Sequence, residues 1–402
     1  MGKLAIKGGN PVHTTGWLGW PVRNEKEIET LTEVVKSGTW GHGPKVKEFE
    51  QKFAEYMDAK YGVCVNSGTT SLIVPLVAAG VGAGDEVIIP PYTFIATATA
   101  VLSANGTPVF ADIDPSNYCL NPESVEQVIT DKTKAILTVH LGGCPTDMDS
   151  MMEVARKHNL IVVEDASHSH GTRYKGKGVG ALGDMGGFSF QASKNLNCGE
   201  GGITLTNDRA FYDRCAAHHN TRRLTSGAVG TVDDIIGTNF RMTEFQAAIL
   251  LAQFDRLDEQ SNIRDANGAY LTEKLGNIEG IKVPRPDYVT RHGYHLFVYT
   301  YHSEGFKGLP LLKFLEAMRA EGISCGSGYS PLYRDAVFQN PIARLPLTRK
   351  LDYYSELHLS VVEELSTKTV WMYQSMMLGS QKDMEDIIEA VVKIQKNIDE
   401  LL

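Results

Sequence analysis

Residues 188–202 read FSFQASKNLNCGEGG, and this stretch organises the chain. Lys194 lies in a polar loop between a short apolar segment and the β-like run 203–206, and glycines follow it at 199, 201 and 202. Glycine suits positions where the backbone needs positive φ or approaches a ligand closely. Lysine forms Schiff bases with carbonyl compounds when burial or a neighbouring cation lowers its pKa. The stretch therefore indicates a cofactor-binding lysine; the competing interpretation is a solvated surface charge.

Short apolar runs alternate with helical stretches on either side of this loop. The strand candidates lie at 63–65, 86–89, 108–112, 135–140, 160–164, 187–190 and 203–206. Such alternation predicts an α/β fold, in which helices cover a mostly parallel sheet. Ligands bind at the carboxyl ends of the strands in sheets of this kind.

The remainder of the chain predicts a second, smaller domain. Apolar residues at helical spacing predict helices over 25–36 and 46–57, and one or two helices over 242–275 that bridge the domains. Beyond the bridge, 294–301 and 324–327 have strand character, whereas 311–320 and 384–401 have helix character. We expect a large domain over 1–255, including an N-terminal arm, and a small α+β domain over 256–402.

Composition excludes several classes of function. The chain has 402 residues and a formal net charge of −9, so it has no basic excess of the kind that nucleic acid attracts. It has no apolar run of transmembrane length and no signal-peptide core, so we expect a cytoplasmic protein without a membrane partner. Its six cysteines are scattered without a C-x-x-C pair, which favours a reducing compartment and no metal site.

Two further stretches supply groups that a lysine-bound cofactor needs. Asn66-Ser-Gly-Thr-Thr70 follows a strand and opens a helix, where free N–H groups bind phosphate; a simple helix cap is the alternative. Asp165 ends an apolar strand, where a carboxylate can pair with a protonated pyridine nitrogen; capping of the next turn is the alternative. Lys194 follows just beyond the next predicted strand.

Two softer signals accompany these stretches. Ser189 precedes the lysine by five positions and can reach a cofactor phosphate. Phe94 follows the strand at 86–89, where an aromatic ring can stack on a flat cofactor, although core packing explains it equally well. Residues 237–244 form only a polar loop before a helix when they are considered alone.

The run from Ser189 to Lys194, followed by Gly199-Glu-Gly-Gly202, resembles the Schiff-base lysine segment of the DegT/DnrJ/EryC1/StrS family. Members of this family are pyridoxal-phosphate aminotransferases that act on keto-sugars and cyclitols. The resemblance covers nearly the whole chain and implies the aspartate aminotransferase-like fold, with a seven-stranded, mostly parallel sheet in the large domain. A dehydrating branch of the family has histidine in place of the lysine, so Lys194 favours transamination.

The resemblance also implies a role for each matched residue. Lys194 would carry pyridoxal phosphate, Asp165 would pair with its pyridine nitrogen, and His168 would lie near its ring face or hydroxyl. Phe94 would stack on the ring. The phosphate would be held by Gly68, Thr69 and Ser189, and by Asn239 from the partner subunit of a homodimer. Substrate contacts are expected from His295, Trp20 and Tyr329.

The family's chemistry implies amino transfer from L-glutamate or L-glutamine to a keto-sugar or cyclitol ketone, with the pyridoxamine form arising in turnover. The N-terminal residues 16–21 are similar to the branch that aminates scyllo-inosose-type ketones in aminocyclitol and antibiotic biosynthesis. Alternatives are a nucleotide-diphosphate-linked keto-sugar aminotransferase, an aminohydroxybenzoate synthase-like enzyme, and a lyase or dehydratase. More distant alternatives are a non-catalytic regulator that binds pyridoxal phosphate and a plain α/β binding protein.

Overall fold

The computed structural model describes residues 2–223, 227–229, 231–339, 347–349 and 351–402. The helices in these ranges are α1 (Glu25–Ser37), α2 (Pro44–Tyr56), α3 (Gly68–Ala78), α4 (Ala96–Ser103), α5 (Pro122–Val128), α6 (Met148–His158), α7 (Arg209–His219), α8 (Glu244–Phe254), α9 (Leu257–Gly276), α10 (Leu311–Ala320), α11 (Ala336–Gln339), α12 (Leu351–Glu356), α13 (Ser360–Leu365) and α14 (Gln381–Lys396). The strands are β1 (Tyr61–Val65), β2 (Glu86–Ile89), β3 (Thr107–Phe110), β4 (Thr133–Val139), β5 (Ile161–Asp165), β6 (Arg173–Tyr174), β7 (Lys177–Gly178), β8 (Met185–Ser189), β9 (Gly202–Thr206), β10 (Ile281–Lys282), β11 (Val289–Arg291), β12 (Leu296–Tyr301), β13 (Gly326–Ser327) and β14 (Thr369–Tyr373).

The main sheet has seven strands in the order β1-β9-β8-β5-β4-β2-β3. Every neighbouring pair is parallel except those of β9, which runs antiparallel to both β1 and β8. This confirms the predicted α/β fold with a mostly parallel sheet. Each predicted strand between 63 and 206 overlaps one observed strand, because buried parallel strands have near-continuous apolar runs.

Strand pairing brings the cofactor-binding candidates to one edge of this sheet. Asp165 is the last residue of β5 and lies opposite Gly187 of β8. Ser189 ends β8 two residues later and lies opposite Gly202 of β9. The loop that carries Lys194 joins β8 to β9, so it leaves the sheet at the same edge. The sequence order of the motifs thus becomes proximity in space.

Glu164 anchors the strand that ends in Asp165. Its buried carboxylate accepts hydrogen bonds from the backbone N–H of Gly180 at 2.7 Å, of Leu182 at 2.7 Å and of Gly183 at 2.8 Å. The ring nitrogen Nε2 of His140 lies 2.8 Å from the same carboxylate. Successive side chains of a strand point to opposite faces of the sheet. Glu164 therefore anchors β5 on one face, and Asp165 points to the other face.

We expect the substitution Glu164→Ala to lower the free energy of unfolding by about 3–5 kcal/mol, because it leaves buried N–H groups without an acceptor. The loss would appear as a lower midpoint of urea denaturation. Glu273→Ala removes an exposed carboxylate that pairs with the adjacent Lys274, and should leave the midpoint close to that of the wild type. Equal midpoints for all three proteins would contradict this role of Glu164.

The C-terminal part has a second sheet of four antiparallel strands in the order β10-β12-β14-β13. Helices α9, α10 and α14 cover it, and their apolar residues share one buried cluster with β12 and β14. The predicted strands 294–301 and 324–327 overlap β12 and β13, but β14 was not predicted. Its residues complete the centre of this sheet.

Packing crosses the expected boundary at residue 255 in both directions. The N-terminal arm lies on the C-terminal part: the N–H of Ala5 donates to Glu321 at 2.9 Å, and Trp17 Nε1 donates to the carbonyl of Gly322 at 2.9 Å. Leu4 is buried in the C-terminal cluster. Conversely, Tyr354 packs in the core of the main sheet and donates to the carbonyl of Pro108 at 2.9 Å. Residues 4–17 of the arm therefore contact the part of the chain beyond the expected boundary.

None of the helices in the described ranges combines the length and the apolarity that crossing a bilayer requires.

Candidate active site

A cavity of about 640 Å³ opens at the carboxyl ends of β5 and β8. This volume is within the usual range for small-molecule sites, about 300–1,000 Å³. The cavity walls include most of the residues that we singled out from the sequence: Gly68, Thr69, Phe94, Asp165, His168, Ser189, Lys194, His295 and Tyr329. Residues of both sheets line it, since Leu296 of β12 and Tyr373 of β14 belong to the smaller sheet.

Two of the predicted residues do not line this cavity. Asn239 is exposed and forms an isolated bridge with Asn220. The Trp20 ring lies 5.3 Å from the guanidinium carbon of Arg264, which is fully buried. Trp20 therefore covers a buried cation, and the expected contact between Trp20 and substrate is not available within its own chain's cavity.

Lys194 lies in the tight loop that joins β8 to β9. Backbone hydrogen bonds close this loop, from the N–H of Ala192 to the carbonyl of Gly199 at 2.9 Å and from Cys198 to Phe190 at 2.9 Å. Burial lowers the pKa of Lys194 to about 8, and the charge of Asp165 acts in the opposite direction. In the part of the chain that the structure describes, Lys194 Nζ forms no hydrogen bond. Its amine is thus available to a ligand.

Asp165 is fixed by two donors. Thr97 Oγ1 donates to one carboxylate oxygen at 2.9 Å, and the N–H of Ser167 donates to the other at 3.2 Å. Thr93 lies 2.8 Å from Thr97 and can donate to it, since the hydroxyl hydrogen of Thr97 points to Asp165. A carboxylate accepts about four hydrogen bonds, so Asp165 retains acceptor capacity towards the cavity.

The start of α3 forms an anion cradle beside Ser189. Ser67 caps the helix by accepting from the N–H of Thr70 at 3.2 Å. Among the described residues, the N–H groups of Gly68 and Thr69 have no hydrogen-bond acceptor. A Cβ atom at position 68 would lie 2.5 Å from Ser189 Oγ, so glycine is required for this close approach. Free N–H groups at a helix start and a nearby hydroxyl suit a phosphate.

We expect Gly68→Ala to weaken cofactor binding about 10-fold or more, and to lower stability by about 1–3 kcal/mol through overpacking against Ser189. Titration of the cofactor-free variant with pyridoxal phosphate, followed by fluorescence, would measure the affinity. Gly276→Ala is the matched control, because a Cβ there meets nothing within 4 Å. Wild-type affinity in the Gly68 variant would be inconsistent with a phosphate cradle at this position.

His168 and His295 lie side by side in the cavity, with ring centroids 4.3 Å apart and planes tilted by 35°. Both are buried. Burial lowers the pKa of both imidazoles well below the usual value, and the charge of Lys194 acts in the same direction. Both rings are therefore neutral near neutral pH.

Aromatic side chains form the remaining wall. Phe94 is 58% exposed and stands free at the rim, where its ring is available for stacking on a ligand. Tyr329 packs edge-on against Trp371 with centroids 4.6 Å apart. Tyr373 lines the same wall from the end of β14. This side of the cavity provides flat apolar surface with hydroxyl groups at its edge.

Sequence reasoning assigned no role to four residues that build this site: Thr97, Asn195, Trp371 and Tyr373. Asn195 directly follows the lysine, and Thr97 follows Thr93 by one helical turn, so a signal was present for both. Trp371 and Tyr373 belong to β14, the strand that was not predicted. Their position depends on pairing between β12 and β14, which no local pattern discloses.

Residues 21–392 match the DegT/DnrJ/EryC1/StrS aminotransferase family. An L-glutamine:2-deoxy-scyllo-inosose aminotransferase of Micromonospora echinospora is 36% identical over 427 residues, covering 100% of both chains. The crystal structure of 3-amino-5-hydroxybenzoic acid synthase superposes with a TM-score of 0.82 at 28% identity, covering 96% of this chain and 98% of the other. DesI in the presence of its TDP-sugar product gives a TM-score of 0.83 at 27% identity, covering 99% and 97%.

Proposed function

This chain belongs to the DegT/DnrJ/EryC1/StrS family of aminotransferases, and from that premise we propose that it moves the amino group of L-glutamine to a cyclitol ketone of the scyllo-inosose type. Membership makes it a pyridoxal-phosphate-dependent transaminase. The observation that carries the proposal is the single cavity that joins Lys194, Asp165 and the helix start at Gly68. Such a ketone is also the substrate named for the relative from Micromonospora echinospora, and an amine of this kind serves aminocyclitol and antibiotic biosynthesis.

The residues of the cavity fit pyridoxal phosphate. The cradle of Gly68, Thr69 and Ser189 suits its phosphate, and the remaining acceptor capacity of Asp165 suits its pyridine nitrogen. Phe94 suits the face of its ring, and Lys194 Nζ suits its carbonyl carbon. The bound group would supply an electron-withdrawing ring that stabilises negative charge on the donor's α-carbon.

Within this arrangement Lys194 moves the proton. Its pKa of about 8 leaves a fraction of the amine neutral near pH 7, so Nζ could take the proton from the donor's α-carbon and deliver it to the cofactor within the same half-reaction, and could run this transfer backwards with the ketone. Asp165, held by Thr97, remains an acceptor and would keep the pyridine nitrogen of the bound group protonated. The pyridoxamine form, present after the donor half-reaction, belongs to this proposal.

The charge of the cavity supports a free cyclitol as the acceptor. Lys194 is the only lysine or arginine among the lining residues of the described chain. A nucleotide diphosphate brings two phosphates that arginine and lysine ordinarily bind, whereas a cyclitol needs only neutral hydrogen-bonding groups. Histidine, serine and tyrosine side chains supply these groups here.

The lowered pKa of Lys194 is tested by the pH dependence of cofactor capture, that is, of the rate at which the Lys194 amine reacts with the carbonyl of added pyridoxal phosphate. Only the neutral amine attacks a carbonyl, so the capture rate of cofactor-free protein should rise with pH and level off above about 8. An ordinary lysine would continue to gain rate up to about pH 10.4. Stopped-flow absorbance measures the rate. Asp165→Asn removes the charge that raises this pKa and should move the midpoint to lower pH; a rate still rising at pH 10 in the wild type would contradict the assignment.

The substrate is tested in two steps. L-Glutamine first converts the enzyme to its pyridoxamine form, and candidate ketones are then added. We expect 2-deoxy-scyllo-inosose to restore the starting spectrum and a TDP-linked keto-sugar to leave it unchanged. The opposite result would favour the nucleotide-linked alternative and overturn the proposed acceptor. No spectral response to L-glutamine would overturn the donor, and L-glutamate would then be examined in the same way.

We further propose a homodimer in which Asn239 of each copy reaches the other's phosphate cradle. Asn239 is exposed and does not line the cavity of its own chain, which supports this arrangement. Division of the chain at residue 255 also remains a proposal. Sedimentation velocity would measure the dimer, and Asn239→Ala should weaken cofactor binding without changing the fold.

A further inference from the structure

The two histidines of the cavity are held in opposite tautomers. His168 Nδ1 lies 3.2 Å from the backbone N–H of Gly142, which can only donate. Nδ1 of His168 is therefore the acceptor of that bond, and the proton of the neutral ring is on Nε2. His168 accordingly presents an N–H donor on its remaining nitrogen.

His295 has the reverse arrangement, and Asn195 imposes it. The amide nitrogen of Asn195 donates to the carbonyl of Gly293 at 2.7 Å, which fixes the orientation of the amide. Its oxygen Oδ1 therefore faces His295 Nδ1 at 3.2 Å and can only accept. His295 must carry its proton on Nδ1, so its Nε2 is an unprotonated acceptor. In the described residues no donor occupies that nitrogen.

A hydroxyl group matches this acceptor, and the carboxylate of the amino donor does not, because a carboxylate has no hydrogen to donate. The neighbouring N–H of His168 also suits an oxygen that accepts. We propose that His295 Nε2 accepts a hydrogen bond from the hydroxyl next to the reacting carbonyl of the ketone, and that Asn195 is the positioning residue that keeps Nε2 unprotonated. This inference rests on the proposed function and names the feature by which the site selects its ketone.

The substrate preference gives the first test. The holoenzyme is assayed with the cyclitol ketone and with an analogue that lacks the hydroxyl next to the carbonyl. We expect His295→Phe to lower kcat/KM for the hydroxylated ketone by about 10- to 100-fold and to leave kcat/KM for the analogue within about threefold. Preference for the hydroxylated ketone would then largely disappear. An equal loss for both ketones would overturn the inference.

The tautomer gives the second test, through Asn195→Asp. A carboxylate at this position accepts from Nδ1 as asparagine does, but its charge favours a protonated imidazole. The charged and titratable groups around His295 are Lys194, His168, His170 and Arg264, all of which oppose protonation in the wild type. The variant should acquire a new acidic limb in its pH profile of kcat/KM, because a protonated Nε2 can no longer accept.

A merely structural role of Asn195 would lower activity at every pH and add no limb, which would contradict the inference. Asn262→Asp is the matched control, an exposed asparagine on α9 whose amide contacts Asp258 at 3.4 Å. Its pH profile should match that of the wild type. Bound cofactor and the spectral response to L-glutamine are recorded for every variant. If the wild type showed no spectral response to L-glutamine, that would count against the proposed function. A normal response without a preference for the hydroxylated ketone would count only against the role of His295.

Discussion

Replacing Lys194 with alanine should lower kcat by about 10⁴-fold or more, the largest effect that we expect from any single substitution in this chain. The variant loses both the amine that attaches the cofactor and the base that moves the proton between donor and cofactor. Turnover with L-glutamine and 2-deoxy-scyllo-inosose, followed by chromatography of the amine product, would measure the loss. A small primary amine added to the assay should restore part of the rate, because it can carry the same proton.

Lys307→Ala provides the control for Lys194→Ala. Lys307 is a solvent-exposed lysine that pairs with Asp399 at 2.8 Å on the surface, so its loss should leave kcat close to the wild-type value. Near-normal turnover by the Lys194 variant would overturn its assignment as the catalytic residue. Failure of the amine to restore any rate would instead limit the role of Lys194 to cofactor attachment.

Replacing Asp165 with asparagine should lower kcat by about 100- to 4,000-fold. Removal of one member of a buried charged pair costs about 3–5 kcal/mol, and about 1.4 kcal/mol corresponds to a factor of ten in rate. Asparagine retains an oxygen that can accept from Thr97, so the fold and the cavity should survive. The decrease in kcat therefore measures the contribution of the negative charge that would face the pyridine nitrogen. Steady-state kinetics and the fraction of bound cofactor would be measured together.

Asp149→Asn is the matched control, since Asp149 is exposed and pairs with Lys175 at the surface. It should change neither rate nor cofactor content. If the Asp165 variant turned over at the wild-type rate, the pyridine nitrogen would need no carboxylate, and Asp165 would only cap the turn at Ser167. A variant that lost its cofactor entirely would show that Asp165 contributes to binding as well as to chemistry.

Local sequence patterns predicted the main sheet well because its strands are buried on both faces. Val162 and Val163 of β5 are both fully buried, in clusters on opposite sides of the sheet, so the first three residues of the strand form a continuous apolar run. Polar residues then mark its end, and Asp165 could be recognised there. Lys194 was recognised through the glycines and small polar residues around it, and through its resemblance to a family segment.

Other features depend on contacts between distant segments and could not be predicted. The N-terminal arm packs on the C-terminal part because Glu321, buried at 1% exposure, accepts N–H groups from Ala5 and Val12. Nothing local to residues 1–24 indicates that partner. Helix α7 was a different kind of omission: Asp208 caps it by accepting from the N–H of Ala210 at 2.6 Å, so an N-cap signal was present.

The orientation of side chains in the site was also beyond sequence reasoning. His295 was expected near the substrate, but its tautomer follows from the amide of Asn195 and the carbonyl of Gly293, which lies 98 positions away from Asn195. The acceptor capacity of Asp165 likewise follows from the placement of Thr97. Such details decide which ligand groups the cavity can bind.

The most direct test of the central claim is to locate the cofactor on the chain. Purified enzyme loaded with pyridoxal phosphate is reduced with sodium borohydride, digested, and analysed by mass spectrometry. We predict one reduced pyridoxyl adduct, on the peptide that contains Lys194, and its absence when L-glutamine is added before reduction. An adduct on another lysine, or none at all, would contradict the assignment of this cavity as the active site.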